Sequence, residues 1–389
     1  MKEIIYEERL CTGCGACFQI CPQGAISMSA NEEGFLFPSI DEAICNDCGL
    51  CKMTCPVNKA AAEEAVTVQN KVYACYSRDE KVREKSSSGG MFTQLALSVI
   101  QENGVVFGAG FDSDFRVRHA YVYNTQDLDD LRRSKYVQSD TGNTFREVKA
   151  FLVEGRRVFY CGTPCQIAGL KAFLGRNYPK LITCDMACSG VPSPKVWGMY
   201  LDFICGRYNS KISSISFRDK SEGWADFRMK IVFRNGKCYS DRAKRELFFI
   251  GFGKNIFNRK SCFDCKFRIA NTKADITLAD FWGISKQGGG EFSDNKGVSM
   301  IITHTDAGED VLSRIGESIY IWERSLEEAV TYNPRLVSSL KEPVKHSSFF
   351  NDLSSGYSFD RLRRKYMDNE SIRYRAKCLV KKVLGLLYH

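Results

Sequence analysis

From residue 72 onward, apolar positions along the chain follow two periods. Val72–Tyr76, Val105–Phe111, Val117–Tyr123, Arg157–Tyr160 and Leu181–Cys184 are short runs rich in Val, Ile, Phe and Tyr, which predicts strands. Gly90–Gln101, Thr144–Val153, Gln166–Leu174 and Lys195–Tyr208 repeat apolar residues at three- and four-residue steps, which predicts helices. The first of these stops at Asn103-Gly104, a usual helix end. Asp226–Phe233 and Lys237–Asp241 flank Asn235-Gly236, a strong hairpin signal. Ala274–Leu278 and Val298–His304 predict buried strands, and a helix follows from Ala307. Strand and helix alternation with one hairpin gives an α/β class, α+β overall, with a mixed sheet and flanking helices. An Ala/Glu-rich stretch from Lys59 to Thr67 separates this body from the first 58 residues and predicts a linker or brief helix.

Those first residues carry two cysteine runs. One is Cys11-x-x-Cys14-x-x-Cys17-x-x-x-Cys21-Pro22, and the other is Cys45-x-x-Cys48-x-x-Cys51-x-x-x-Cys55-Pro56. In the bacterial ferredoxin pattern, three close cysteines hold one 4Fe–4S cluster and the fourth ligates the other. Cys11, Cys14, Cys17 and Cys55 are thereby assigned to one cluster, and Cys45, Cys48, Cys51 and Cys21 to the second. Iron–sulfur cores take soft thiolate ligands, and the tight spacing lets one loop wrap three corners of a cube. Gly13, Gly15 and Gly49 let the backbone come close. Zinc favours two CxxC pairs separated by a longer loop, not four cysteines within eleven residues.

Composition narrows the setting. A length of 389 residues allows two or three domains. Eight of the eighteen cysteines sit in motifs that oxidation would destroy, which points to a reducing cytoplasm. The N-terminus MKEIIYEERLC lacks the apolar core of a signal peptide, and no run approaches the roughly 18 apolar residues of a membrane span. Residues 1–58 set Lys2, Arg9 and Lys52 against eight acidic residues, a net of −5. Residues 361–389 set Arg361, Arg363, Arg364, Lys365, Arg373, Arg375, Lys377, Lys381 and Lys382 against Asp368 and Glu370, a net of +7. The tail thus supplies most of the overall +9, and no groove-reading or base-stacking motif accompanies it, so no nucleic-acid partner is expected. Leu379, Val380, Val383, Leu384, Leu386 and Leu387 give the tail an apolar stripe at roughly helical spacing. Such a basic amphipathic helix suits peripheral contact with an anionic membrane, with the body, or with an acidic protein surface such as the N-terminal module.

Six motifs then follow in order. They are Ser86-Ser87-Ser88-Gly89-Gly90-Met91-Phe92-Thr93, Ser134-Lys135-Tyr136-Val137-Gln138-Ser139, Cys161-Gly162-Thr163-Pro164-Cys165-Gln166, Asp185-Met186-Ala187-Cys188-Ser189-Gly190, Cys262-Phe263-Asp264-Cys265, and Ala274 through Gly283. In this order, from about residue 70 to 335, the chain resembles the beta-subunit family of coenzyme F-420 hydrogenases and dehydrogenases, which includes 7-hydroxymethyl chlorophyll a reductase. The resemblance implies a flavin-binding body that takes FAD, with a fused ferredoxin domain. It places Ser87, Ser88, Gly89, Gly90 and Thr93 on the flavin side, and Ser134, Lys135, Tyr136 and Gln138 in a segment that approaches the flavin. The residues themselves agree: two glycines at a helix start leave bare N–H groups for a pyrophosphate, Ser88 is a candidate cap, Lys135 offsets anionic charge and Tyr136 offers a ring.

Cys262-x-x-Cys265 is a natural half-site for a metal. Spacing leaves its partners open, because Cys161/Cys165 and Cys184/Cys188 both fall in predicted strand-to-helix loops. The resemblance selects Cys165 and Cys188 for a third 4Fe–4S cluster. Cys75, Cys205, Cys238 and Cys378 are expected to be structural or exposed thiols, and the four histidines, His119, His304, His346 and His389, offer little acid–base chemistry. The expected organisation is a ferredoxin domain at 1–58, a linker at 59–70, a flavin-binding body in two parts at 71–150 and 151–340, and a basic tail at 341–389. The expected function is a cytoplasmic iron–sulfur flavoprotein oxidoreductase. Electrons pass from a redox carrier such as ferredoxin through the clusters to FAD, and by hydride to or from an organic substrate, with coenzyme F-420 the namesake. The alternative is an electron-transfer subunit that wires a hydrogenase- or dehydrogenase-type partner to a carrier.

Overall fold

The computed structural model describes residues 4, 5, 7–60, 70–286 and 290–368. The N-terminal module is built on a hairpin, β1 (Ile26–Ala30) against β2 (Leu36–Ile40), with short helices Ala16–Ile20 and Leu50–Thr54 in the two cysteine runs. The body's strands are β3 (Lys71–Ser77), β4 (Val105–Phe111), β5 (Val117–Val122), β6 (Val158–Cys161), β7 (Leu181–Met186), β8 (Ile212–Asp219), β9 (Arg228–Phe233), β10 (Cys238–Arg242), β11 (Ile276–Asp280), β12 (Ser299–Thr303) and β13 (Ile319–Arg324). Eight of them form one mixed sheet in the order β13-β3-β12-β11-β7-β6-β4-β5. Its centre, β4, β6, β7 and β11, is parallel, and both flanks are antiparallel.

Strand alternation sorts the two faces. Val106 faces helices Met91–Gln101 and Asp306–Arg314, whereas its neighbours Val105 and Phe107 face helices Thr144–Val153 and Pro164–Leu174. β8, β9 and β10 make a separate antiparallel sheet. It shares an aromatic core with helix Pro194–Tyr208, in which Trp197, Tyr200, Phe217, Phe233 and Phe248 are buried. The hairpin at Asn235-Gly236 forms as predicted, and the expected helices and strands lie within a few residues of their predicted ends. β8 and β13 were not predicted: β8 is interrupted by serines and charged residues, and β13 pairs with β3, far away in sequence.

The expected basic tail from 341 is in part body. Helices Lys345–Ser354 and Phe359–Tyr366 bury Phe349, Phe350, Phe359, Leu362 and Tyr366 in the aromatic core. Arg363 pairs with Asp360 and Asp368, and Lys365 with Asp352, so these basic residues are matched locally. Residues 369–389, with the whole of the expected amphipathic stripe and Cys378, lie outside the described residues. Among the described residues no helix is long and apolar enough to cross a membrane.

The ferredoxin-like module is fastened along the body. Gln19 is buried, and its Oε1 accepts from Phe145 N at 2.7 Å, while Arg146 Nε donates to Gln19 O at 2.7 Å. Thr141 Oγ1 donates to Cys14 O at 3.0 Å, and Lys195 Nζ to Glu32 O at 2.9 Å. Helix Pro164–Leu174 comes so close that a Cβ on Gly169 would lie 2.9 Å from Cys14 Sγ. Replacement Gly169→Val therefore overpacks this seam. Anaerobic denaturant unfolding is expected to show a loss of about 2 kcal/mol, and iron bound by the Cys14 loop is expected to fall.

Candidate functional site

Cys11, Cys14, Cys17 and Cys55 line one small cavity of about 20 Å³, with Ile4, Met28, Pro38 and Val57 around it. Cys55 thus comes back from the second run to join the first triplet. Burial pushes the Cys14 thiol up to about 12, with Cys55, Cys165 and Cys11 adding to it. Metal-free thiols in such a place stay protonated; binding to iron is what makes them thiolates. Cys51 lies near Cys48 and Cys21, and Cys48 is exposed. Gly13 shows why this loop needs glycine. Its φ is +69°, and a Cβ there would lie 2.7 Å from Gln138 Nε2 and 2.9 Å from Arg259 Nη1.

A third cysteine group forms in the body. Cys165 is the second residue of helix Pro164–Leu174, just beyond β6, and Cys188 follows β7, so both occupy the carboxyl ends of central parallel strands. Cys262 ends a short 3₁₀ turn, and Cys265 N donates to Ser339 Oγ at 3.1 Å. Burial raises Cys165 to about 11 and Cys262 to about 12, and Cys188 well above its ordinary value; each thiol is raised further by neighbours among the four. Arg268 Nη1 donates to Cys188 O at 2.8 Å. Cys161 and Cys184 stand apart from this group as register partners on β6 and β7. Among the described residues no three His, Cys, Asp or Glu side chains are placed to hold a single ion.

The first and third groups adjoin. Cys55, Cys165 and Cys265 belong to one small apolar cluster with Val57, Ala168 and Phe267. Arg259 bridges the same two loops and is 1% exposed. Its Nε donates to Cys11 O at 2.7 Å, Nη2 to Leu36 O at 2.9 Å and Nη1 to Gln138 Oε1 at 3.1 Å. These hydrogen-bond partners are all neutral, so the positive charge of the buried guanidinium is left to act on Cys165 and Cys262, whose ionised forms it favours. Its plane lies over Phe37, 4.2 Å from the ring centroid.

On the far side of Cys188 opens a cavity of about 490 Å³. This is within the range of cofactor pockets. Ser87, Ser88, Gly90, Thr93, Ser134, Lys135 and Tyr136 line it, as do Cys161, Thr163 and the 185–191 loop. Three expectations are corrected. Gln138 points away from the cavity, donating to Thr12 O at 3.0 Å and accepting from Arg259, because the backbone at this point turns it toward the ferredoxin-like module. Ser88 does not cap helix Met91–Gln101: Gly90 is the N-cap with φ +96°, and Ser88 Oγ donates to Val298 O at 2.9 Å. Gly89 is not among the lining residues, and its N–H is taken by Ser299 Oγ at 2.9 Å. That leaves the first turn, Gly90 to Thr93, on the cavity wall.

Lys135 is half-buried, with Nζ donating to Asp130 O at 3.0 Å and Arg132 O at 2.7 Å. Loss of water around the ammonium lowers it to about 7. The Tyr136 ring packs among Phe217, Phe249 and Phe252, and its hydroxyl meets Arg218 Nη1 at 3.4 Å. Arg218 itself is locked by Asp280, which also accepts from Trp224 Nε1 at 2.6 Å. Trp224 stacks on Trp282 at 4.6 Å, and Trp282, Phe227, Phe252 and Tyr332 give the cavity aromatic walls. Sequence reasoning missed Arg218, Asp280, Trp282 and Arg335. Asp280 and Trp282 lay inside a recognised motif; Arg218 and Arg335 had no local signal. His119 is buried with both ring nitrogens engaged, by Ser139 Oγ at 2.7 Å and Cys161 O at 3.1 Å, and burial lowers it to about 4.

Residues 155–329 match the family described as the C terminus of the coenzyme F420 hydrogenase/dehydrogenase beta subunit. Residues 10–59 match the 4Fe-4S dicluster domain. The chain thus pairs a match to the C terminus of that beta subunit with an N-terminal match to an iron–sulfur dicluster domain. No curated protein matches it. Among solved structures it is similar to a chain of the F420-reducing nickel–iron hydrogenase complex from Methanosarcina barkeri, at 18% identity and a TM-score of 0.46, over 78% of this chain and 93% of that one.

Ligand roles separate by substitution. Cys165→Ser, Cys188→Ser, Cys262→Ser or Cys265→Ser is expected to lose about four irons per chain, while Cys161→Ser and Cys184→Ser keep full iron. Iron analysis after anaerobic purification decides it; loss with Cys161→Ser and retention with Cys165→Ser would reverse the assignment. Arg259→Met removes a positive charge beside the first and third cysteine groups, so the midpoint potential of a cluster bound at either is expected to fall by on the order of 50 mV in an EPR-monitored titration.

Proposed function

We propose that the chain is a cytoplasmic iron–sulfur flavoprotein oxidoreductase, with two 4Fe–4S clusters in the N-terminal domain, a third on Cys165, Cys188, Cys262 and Cys265, and FAD in the 490 Å³ cavity. The observation that carries this reading is continuity. The first cysteine group meets the third across Cys55 and Cys165, and Cys188 of the third group lines the cavity. A flavin supplies the exchange between single electrons and a hydride pair. Cys48, exposed at the second group, is the inlet where a redox carrier docks.

The residues fit that cofactor. Arg132, Arg133, Lys135, Arg218 and Arg335 on the wall outnumber Asp185 and Asp280, so the cavity favours an anionic ligand. Ser87, Ser134 and the first turn at Gly90 to Thr93 offer donors for a pyrophosphate, and Trp282 and Phe227 offer ring faces. The substrate is an organic two-electron acceptor or donor that shares this cavity.

Anaerobically purified protein is expected to hold about twelve irons, about twelve sulfides and one flavin, and to bleach with dithionite. About twelve irons without flavin would reduce the chain to an electron-transfer subunit; colourless protein would end the redox reading. Lys135 is protonated below about pH 7 and neutral above it, so flavin affinity is expected to weaken as pH rises through that value. Lys135→Met is expected to bind flavin weakly on both sides of it, with no pH step, by equilibrium fluorescence quenching.

A further inference from the structure

A hydride is two electrons and one proton, and iron–sulfur clusters deliver only electrons. If the cavity reduces a two-electron carrier, as proposed above, the proton must arrive by another route. The central sheet holds a buried polar line that the cluster path does not use. Asp185, the penultimate residue of β7, sits beside Thr277 of β11 as its register partner. Thr277 Oγ1 is hydrogen-bonded to Asp185 Oδ1, and Thr277 Oγ1 meets His304 Nε2 at 2.8 Å. His304 Nδ1 meets Asn70 Oδ1 at 2.6 Å. Thr272 Oγ1 donates to the other oxygen, Asp185 Oδ2, at 2.7 Å. The line crosses the sheet between two apolar clusters, one holding Leu181 and Ala274, the other Val72 and Ile302.

Its inner end opens on the site. Asp185 lines the main cavity and also a side cavity of about 10 Å³ shared with Cys188, Arg268 and Thr272, room for about one water. Its outer end, Asn70, is half-buried.

We propose that Asp185, Thr277 and His304 form a proton relay that supplies the cavity from the Asn70 edge of the sheet. The chain can hold its protons in two orders. In the first, His304 Nε2–H donates to Thr277, which donates to an ionised Asp185. In the second, a protonated Asp185 donates to Thr277, which donates to His304 Nε2, and the proton on His304 sits at Nδ1. Thr277 Oγ1 donating to Asp185 Oδ1 is the contact of the first order, and the Asn70 carbonyl oxygen facing Nδ1 is the contact of the second, so the line carries features of both. A proton entering the first order at Nδ1 moves the Nε2 proton to Thr277 and the Thr277 proton to Asp185, which leaves the second. Asp185 then gives its proton to the cavity, matched against the two electrons the clusters deliver. The hydroxyl and imidazole turn back before the next proton.

The surroundings suit this. Burial raises Asp185 to about 7, so it exchanges a proton near neutral pH; the charged groups on its side cavity are Arg268 and Arg335, and the Cys184 thiol donates to its carbonyl. His304 is lowered to about 4 by burial, opposed by Asp275, so it passes protons without holding charge. Asp275 is engaged by Thr183, Thr305 and Lys171, and Glu309 on the far side by Lys71, Tyr73 and Thr303. A merely structural line would hold the strands together without moving a proton.

Thr277→Val keeps the shape and breaks the line; Asp185→Asn removes the inner group. In holoprotein with wild-type iron and flavin content, stopped-flow reduction is expected to bleach the clusters at the wild-type rate. Flavin reduction is expected to slow at least tenfold and to lose its solvent deuterium effect. Infrared difference spectra of wild type minus Asp185→Asn are expected to show a protonated carboxyl band in mild acid that fades through about pH 7, the band of the similarly raised, buried Glu246 cancelling between the two. Wild-type flavin reduction with an unchanged deuterium effect in Thr277→Val would overturn the relay. Protein found to hold no flavin would defeat the cavity reading instead; the relay would then stand or fall on the infrared band, whose absence in mild acid overturns it.

Discussion

A cation buried between two cysteine loops is the constraint on which the arrangement turns. Arg259 has no carboxylate among its hydrogen-bond partners and is almost wholly out of water. An isolated charge in such a place is costly unless something anionic lies close. Its donors instead grip backbone carbonyls of Cys11 and Leu36 and the amide of Gln138, which locks the ferredoxin-like module onto the body. Gly13 and Gly169 are the backbone side of the same requirement, since a single Cβ at either would push the two parts away. Electron transfer depends on short separations, and this seam holds the first and third cysteine groups together.

From that seam the rest follows outward. The third cysteine group stands where β6 and β7 end, the place where parallel α/β sheets collect their ligands. Cys188 belongs at once to that group and to the cavity wall. The cavity in turn is electropositive and aromatic, with Arg218 held rigid by Asp280 and the Trp224–Trp282 stack nearby. In the proposed scheme electrons and protons take different roads through one sheet: thiol loops at the strand ends for the first, a polar line across the strands for the second.

The two cysteine runs were legible because every ligand spacing within a run is local, and proline closes each one. Central strands and helices were equally plain, since burial on both faces leaves uninterrupted apolar runs such as Val105–Phe107. β8 was not, because its serines and charged residues mask the pattern, and β13 was not, because its partner β3 lies more than two hundred residues earlier. Arg218 and Arg259 look like ordinary surface arginines in the chain, and only packing makes them buried. Gln138 was read onto the cavity because its neighbours Lys135 and Tyr136 are there, yet a turn of the backbone sends it to Thr12.

The sequence by itself determined which residues are able to hold clusters, that strands and helices alternate, and that two cysteine runs precede a larger α/β body. Local spacing and local periodicity carry that information. The tertiary structure decided which of Cys161, Cys165, Cys184 and Cys188 come near Cys262 and Cys265, that the module is docked along the body, and that Asp185, Thr277 and His304 touch. Each of those is a contact between residues distant in the chain, set by strand order and helix packing, and no spacing along one strand or loop encodes it.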